Sequence, residues 1–147
     1  MPRLMMVDDD AFNMLSHQAF LLKWGVEVDL FTCGEAAIKA YEESLQKTCC
    51  KVGYPLIITD INMPEVCGFQ VGERVLALKR KHQDLPHPLT LLALTSHVDK
   101  DVKKRTTEIG FKQTYEKPMC IEKMGRLVNR YYKPYHPFMK KTKQYSS

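Results

Sequence analysis

The chain lacks any apolar run approaching the roughly 20 residues that a membrane-spanning helix needs, and it has no internal repeat or low-complexity tract. Its first residues do not have the charged-then-apolar layout of a secretory leader. It has no CxxC pair either. The five cysteines, Cys33, Cys49, Cys50, Cys67 and Cys120, are odd in number and scattered, with only Cys49 and Cys50 adjacent. That pattern excludes a disulfide framework and a clustered zinc site, and it fits a reducing compartment, so a cytoplasmic location is expected. What the chain does have is apolar content: 44% of its 147 residues are hydrophobic and 27% charged, enough for one soluble globular domain with a core of its own.

Charge is unevenly spread. The formal net charge is +5, and Lys133, Lys140, Lys141 and Lys143 carry four of those units in a stretch that has no acid. Pro134, Pro137, Ser146 and Ser147 make the same stretch suited to an irregular segment. The expected organisation is a folded body over 1–132, close to neutral, followed by a basic, disordered tail over 133–147. The tail is expected to be solvated, with no direct nucleic-acid binding; a polyanion reading would need affinity that falls steeply with salt.

The body alternates two kinds of apolar pattern. Short apolar runs at Leu4–Val7, Leu56–Thr59 and Leu89–Thr95 read as buried strands, the last as a central one. Val26, Val28 and Leu30 alternate with acids as a half-buried strand, and Gln113–Glu116 is a short fifth. Between them lie helical spacings: Phe12, Leu15, Ala19 and Leu22, closed by Gly25; Ala37, Ala40, Tyr41 and Leu45; Val71, Val75 and Leu78; Val102, Thr106 and Ile109, closed by Gly110; and Ile121, Met124, Val128 and Tyr131. Five strand–helix units with near-continuous apolar strands predict an α/β fold: a doubly wound (βα)5 sandwich on a five-stranded parallel sheet, flavodoxin-like.

In such folds the chemistry gathers at the carboxyl ends of the strands. There the sequence places Asp8, Asp9 and Asp10, then Asp60, then Thr95 and Ser96, then Lys117 and Pro118. Carboxylates brought together repel, so one is protonated or a cation binds among them. Hard oxygen donors in an incomplete cage suit magnesium, which favours phosphate as a further ligand. A carboxylate nucleophile with a divalent ion, a lysine and a hydroxyl is a set suited to phosphoryl transfer. Asp10 is expected to cap the first helix rather than to bind an ion. His17, His82, His87 and His136 share no metal-like spacing and are expected at the surface.

The run Val7-Asp8-Asp9-Asp10, then Thr59-Asp60-Ile61-Asn62-Met63-Pro64 with Gly68, then Leu94-Thr95-Ser96, then Lys117-Pro118 resembles the response-regulator receiver domain of two-component and phosphorelay signalling, over about Arg3 to Tyr132. The resemblance implies that Asp60 is the phosphoacceptor. It implies that Asp8, Asp9, Asp60 and the backbone carbonyl of Asn62 hold Mg2+, with Asp9 the more direct ligand of the acidic pair. Thr95 would bond the phosphoryl oxygen, Lys117 would pair with it, and the Lys117–Pro118 peptide would be cis. The implied partner is a histidine kinase or a histidine phosphotransfer protein; the domain assists its own phosphorylation without being a separate enzyme. It would make no membrane contact and would be a monomer or a weak phosphorylation-dependent dimer. A stand-alone receiver and the receiver of a hybrid histidine kinase both fit, the latter slightly better because of the polar tail.

Two positions depart from the family pattern. Thr114 stands three residues before Lys117, where an aromatic switch residue is usual, and Tyr115 beside it faces the other side of the sheet. Cys67 stands before Gly68 where aspartate is common, a loop position with little expected effect. His97 is either an exposed loop residue or a group that orients water at the acyl phosphate. The rival readings are a phosphorylation-independent docking module, favoured by Thr114, and an aspartyl-phosphate phosphatase, disfavoured because Asn62 stands where that class commonly has a second acid.

Overall fold

A computed structural model describes residues 3–46, 53–82 and 88–132. The elements run β1 (Leu4–Val7), α1 (Ala11–Lys23), β2 (Val28–Phe31), α2 (Gly34–Ser44), β3 (Leu56–Asp60), α3 (Gly68–Lys81), β4 (Thr90–Thr95), α4 (Lys100–Ile109), β5 (Gln113–Glu116) and α5 (Ile121–Tyr131). All strand pairs are parallel, in the order β2-β1-β3-β4-β5. The doubly wound sandwich is therefore as the sequence predicts. The middle strand is β3, however, with β4 one place towards the edge. The basic tail at 133–147 lies outside the described residues, as do His87 and His136.

Alternation along the strands builds two separate cores. In β1, Leu4 and Met6 face one side and Met5 and Val7 the other. The first side is covered by Met14 and Leu21 of α1 and by Met124, Leu127 and Val128 of α5. The second is covered by Ala37, Ile38 and Tyr41 of α2 and by Val71 and Val75 of α3. Both faces of β1, β3 and most of β4 are thus buried, which is why those strands read as unbroken apolar runs.

Helix α1 corrects the sequence reading. The helical spacing of Phe12, Leu15, Ala19 and Leu22 lies on the outward face, with Phe12 81% exposed, Leu15 54% and Leu22 61%. The buried residues are Met14, His17 and Leu21, at i, i+3 and i+7. The helix carries apolar residues on two faces, and spacing alone does not say which one meets the sheet. His17, expected at the surface, is one of the buried residues. The helix stops as expected: the amides of Trp24 and Gly25 bond back to Leu21 and Leu22, and Gly25 takes φ 79°, a conformation glycine adopts without penalty.

Asp10 caps α1, its carboxylate accepting from the Asn13 amide at 3.3 Å. Asp99 caps α4 in the same way from Val102 at 2.8 Å. Among the described residues no helix is long and apolar enough to cross a membrane.

The two faces of α1 separate in a stability measurement. Leu21→Ala is expected to cost about 2–5 kcal/mol in urea unfolding, whereas Leu15→Ala stays within about 0.5 kcal/mol of the wild type. Equal losses would mean that α1 is turned differently on the sheet.

Candidate functional site

The strand order reverses direction between β1 and β3, so the connections after these two strands leave to opposite faces and open a crevice at their carboxyl ends. Asp8 follows β1 and Asp60 ends β3. Both are buried, at 6% and 4% exposure, while Asp9 is exposed. Asp8, Asp9 and Asp60 each offer a carboxylate oxygen within 4.8 Å of the others. This all-oxygen donor set, open to solvent on the Asp9 side, has the chemistry of a hard divalent cation site.

Lys117 reaches the crevice from the end of β5. Its Nζ lies 2.8 Å from Asp8 Oδ2 and 3.2 Å from Asp60 Oδ2. The backbone carries it there: the Lys117 amide bonds to the Thr95 carbonyl at 2.8 Å, and the Lys117–Pro118 peptide is cis, as the resemblance implied. The other oxygens of the two acids take backbone donors, Asp8 Oδ1 from the Asp10 amide at 2.9 Å and Asp60 Oδ1 from the Asn62 amide at 3.2 Å.

Thr95 ends β4 beside Asp60, since Asp60 is in register with Leu94. Its hydroxyl lies 3.0 Å from Asn62 Oδ1 and 3.2 Å from the His97 carbonyl, so its one proton goes to either. The site residues read from the sequence, Asp8, Asp9, Asp60, Asn62, Thr95 and Lys117, thus meet in one crevice. His97 meets Thr95 through its backbone amide and carbonyl, while its ring is 78% exposed and lies 4.0 Å from Glu116.

The loop after β3 is held by tight backbone packing. A Cβ on Gly68 would fall 2.3 Å from the Asp60 carbonyl oxygen, closer than any side chain tolerates. The Gly68 amide bonds to the Ile61 carbonyl at 3.0 Å, and Ile61 to Leu94 at 2.8 Å. Cys67 turns out to be the N-cap of α3, with its amide bonded to the Gln70 side chain at 3.0 Å.

Electrostatics follow from this packing. Burial raises the Asp60 carboxyl above its ordinary range; Lys117 opposes the rise and the Asp8 charge adds to it. Burial alone would lower the Lys117 ammonium, but its bonds and charges with Asp8 and Asp60 more than offset that and raise it. Lys117 is therefore a fixed cation, and Asp60 is a carboxylate short of compensation.

Two features escaped sequence reasoning. His17 and Asn13 join Asp8, Lys117, Pro118 and Met119 around a cavity of about 300 Å³ on the α1 side of the crevice. The signal for His17 was present in its spacing with Met14 and Leu21. The second is the partner of Thr114, whose hydroxyl is 2.7 Å from that of Thr106, a residue of α4 that is 1% exposed. Tyr115 points to the opposite face, against the α1–α5 core and with its hydroxyl 3.4 Å from that of Tyr131.

Comparison with known proteins gives a consistent picture. The family profile of the response regulator receiver domain matches residues 4–129. Two-component response regulator 24 of Arabidopsis thaliana is 26% identical over 126 residues, covering 86% of this chain and 81% of the relative. Sensor protein GacS of Pseudomonas syringae pv. syringae is 28% identical over 129 residues, covering 86% of this chain but only 13% of that longer protein. The fold is shared with the receiver domain of the Arabidopsis thaliana histidine kinase CKI1 complexed with Mg2+ (TM-score 0.74, 20% identity, 88% of this chain and 90% of that one). It is shared also with a chain in the co-crystal structure of the Saccharomyces cerevisiae histidine phosphotransfer protein Ypd1 and the receiver domain of Ssk1 (TM-score 0.75, 18% identity, 88% of each chain).

The raised Asp60 carboxyl has a stability consequence of definite sign. Protonated Asp60 contributes stability that is present below the unfolded pKa and is lost as pH rises through the folded value. At neutral pH, with a chelator present, Asp60→Asn is expected to raise the urea midpoint above that of the wild type. The advantage should shrink as pH falls into the ordinary carboxylate range. A wild type at least as stable as Asp60→Asn at neutral pH would overturn this account.

Proposed function

The chain belongs to the response regulator receiver domain family, and from that premise we propose that it is a phosphoacceptor, taking a phosphoryl group from a phosphohistidine onto Asp60. The observation that carries the reading is the placement of Asp60: buried, beside two further carboxylates, with Lys117 at 3.2 Å. Its Oδ2 is the nucleophile; it attacks phosphorus, the histidine nitrogen leaves with the bonding pair, and an acyl phosphate remains. Lys117 neutralises charge on the incoming group, and the Thr95 hydroxyl turns from Asn62 to donate to a phosphoryl oxygen.

Asp8, Asp9, Asp60 and the Asn62 carbonyl are the residues that would hold Mg2+. Three carboxylates face one ammonium here, so the donor set carries charge that a divalent cation suits. The ion, when bound, supplies positive charge against the transferring group.

The donor must bring its histidine to the crevice. Phe12 and Leu15 lie on the exposed face of α1, whose first turn starts directly after Asp10. We assign this face to docking of the helical surface that carries the phosphohistidine, in a histidine kinase or a phosphotransfer protein. Residues 1–132 form the receiver body in this reading and 133–147 a basic tail, in a cytoplasmic protein that is either stand-alone or part of a hybrid kinase.

Output does not run through a rotating aromatic. Thr114 fills that place and ties β5 to α4 by its bond to Thr106. That bond also supports a second reading, a receiver-shaped docking module that takes no phosphate. The phosphatase alternative is weakened further, because the Asn62 side chain is already an acceptor for Thr95.

Phosphorylation with acetyl phosphate or phosphoramidate separates these readings. Wild type is expected to take an alkali-labile label with Mg2+ and to lose it with a chelator, and Asp60→Asn is expected to take none. Equal labelling of the two would overturn the assignment, and an unlabelled wild type would favour the docking module. For the α1 face, Leu15→Glu is expected to slow transfer from a phosphohistidine protein by about tenfold or more while leaving small-donor phosphorylation unchanged. Equal transfer rates would remove α1 from the interface.

A further inference from the structure

Helix α4 is held to the molecule differently from the other described helices. Each of those buries apolar side chains, such as Met14 and Leu21 of α1 or Met124, Leu127 and Val128 of α5. In α4 the one buried residue is Thr106, at 1% exposure. Val102 and Ile109 are half-buried, and every other residue of the helix is exposed. A groove of about 540 Å³, lined by Glu73 and Arg80 of α3 and by Arg105, Glu108 and Ile109 of α4, lies along the boundary between these two helices. Little apolar area therefore returns to water when α4 leaves the sheet.

What holds α4 is polar. The Thr106 hydroxyl is 2.7 Å from that of Thr114 on β5 and 3.0 Å from the Lys103 carbonyl. One arrangement of protons satisfies both contacts: Thr114 donates to Thr106, and Thr106 donates to Lys103. Ahead of the helix, the Val98 amide donates to Glu116 Oε1 at 3.3 Å. Glu116 is exposed and Thr106 is not, so water replaces the Glu116 bond more easily than the hydroxyl pair. The register then sets the pair beside the crevice. Thr114 stands opposite Ala93, and Glu116 opposite Thr95, so Thr114 and Thr95 lie diagonally on one face of the sheet. The Thr95 hydroxyl in turn contacts both the carbonyl and the amide of His97, inside the connection that leads from β4 to α4.

We propose that α4 opens as a separate segment, latched to β5 by the Thr106–Thr114 hydroxyl pair. Resting on the phosphoacceptor reading, we propose further that the latch steadies the β4–α4 connection and so restrains the Thr95 hydroxyl from turning towards the phosphoryl group. Opening α4 gives up the hydroxyl pair, the Arg105 guanidinium over the Phe69 ring at 4.0 Å, and the partial burial of Val102 and Ile109. Global unfolding gives up both cores. The first is the smaller loss, so α4 opens while the sheet stays intact. Four residues, Ser96 to Asp99, separate Thr95 from the helix. A latched α4 thus keeps the His97 backbone in place around the Thr95 hydroxyl, and a released one lets it move.

Hydrogen exchange of the whole chain, followed by NMR at rising urea below the unfolding transition, tests the latch without phosphate. In wild type the α4 amides are expected to share one opening that depends weakly on urea, with protection about a hundredfold or more below that of β1 and β3. Thr114→Val and Thr106→Val are each expected to speed α4 exchange about three- to tenfold. Thr114→Ser keeps the hydroxyl and is expected to stay near wild type. The variant with both valines is expected to exchange no faster than either single one, because both substitutions remove the same bond. Exchange of α4 only through global unfolding, or additive acceleration in the double variant, would overturn the proposal.

The functional half has its own readout. Thr114→Val is expected to be phosphorylated by acetyl phosphate about threefold faster than wild type, and Thr114→Ser at the wild-type rate. Equal rates for Thr114→Val and wild type, with α4 exchange accelerated, would remove the link to Thr95 and leave the latch. A wild type that takes no phosphate while the exchange contrast persists would remove the phosphoacceptor reading and leave the latch standing.

Discussion

Two carboxylates buried side by side at the ends of neighbouring strands are the constraint around which this molecule is built. Asp8 and Asp60 are both almost fully buried, and parallel pairing of β1 with β3 forces their proximity. Like charges so placed are costly out of water. Lys117 relieves the cost only in part. It bridges the pair, but burial and the Asp8 charge still leave Asp60 above its ordinary range. A crevice left short of positive charge is a site prepared for more of it.

Holding that arrangement accounts for much of the surrounding architecture. The Asp10 and Asn62 amides take the outward oxygens. The backbone at Gly68 passes so close to Asp60 that no side chain fits there. The Thr95 hydroxyl is held at Asn62 Oδ1, a neutral acceptor, at 3.0 Å. Each of these contacts is a backbone or short-side-chain bond on a rigid strand end, so a change of charge at Asp60 shifts segments as units. The Thr106–Thr114 bond extends this to α4, in a place where a freely turning ring would otherwise stand.

Helix α1 carries apolar residues on both of its faces. Its inner stripe of Met14, His17 and Leu21 faces one core, and Met14 and His17 line the cavity beside Lys117. Its outer residues Phe12, Leu15 and Leu22 stay in solvent, Phe12 in the first turn after the Asp10 cap. An amphipathic helix normally turns its larger apolar residues inward. Here Phe20, Met14 and Leu21 pack inward, and Phe12, Leu15 and Leu22 are left exposed on the other face.

The sequence alone determined the strand positions, the parallel doubly wound order and the acids that end β1 and β3. Strands buried on both faces must be apolar throughout, and charges at their ends must lie at the rim. Asp8, Asp9, Asp60, Thr95 and Lys117 were legible for that reason: each stands at a strand end, and the fold supplies one crevice. Tertiary structure alone decided which face of α1 is inside, because Met14–Leu21 and Phe12–Leu22 both carry helical spacing. It also decided that His17 is buried, and that Thr114 finds Thr106 and Tyr115 finds Tyr131. Those outcomes depend on which neighbour each side chain meets across the packed layers, and periodicity along one chain carries no record of the neighbour.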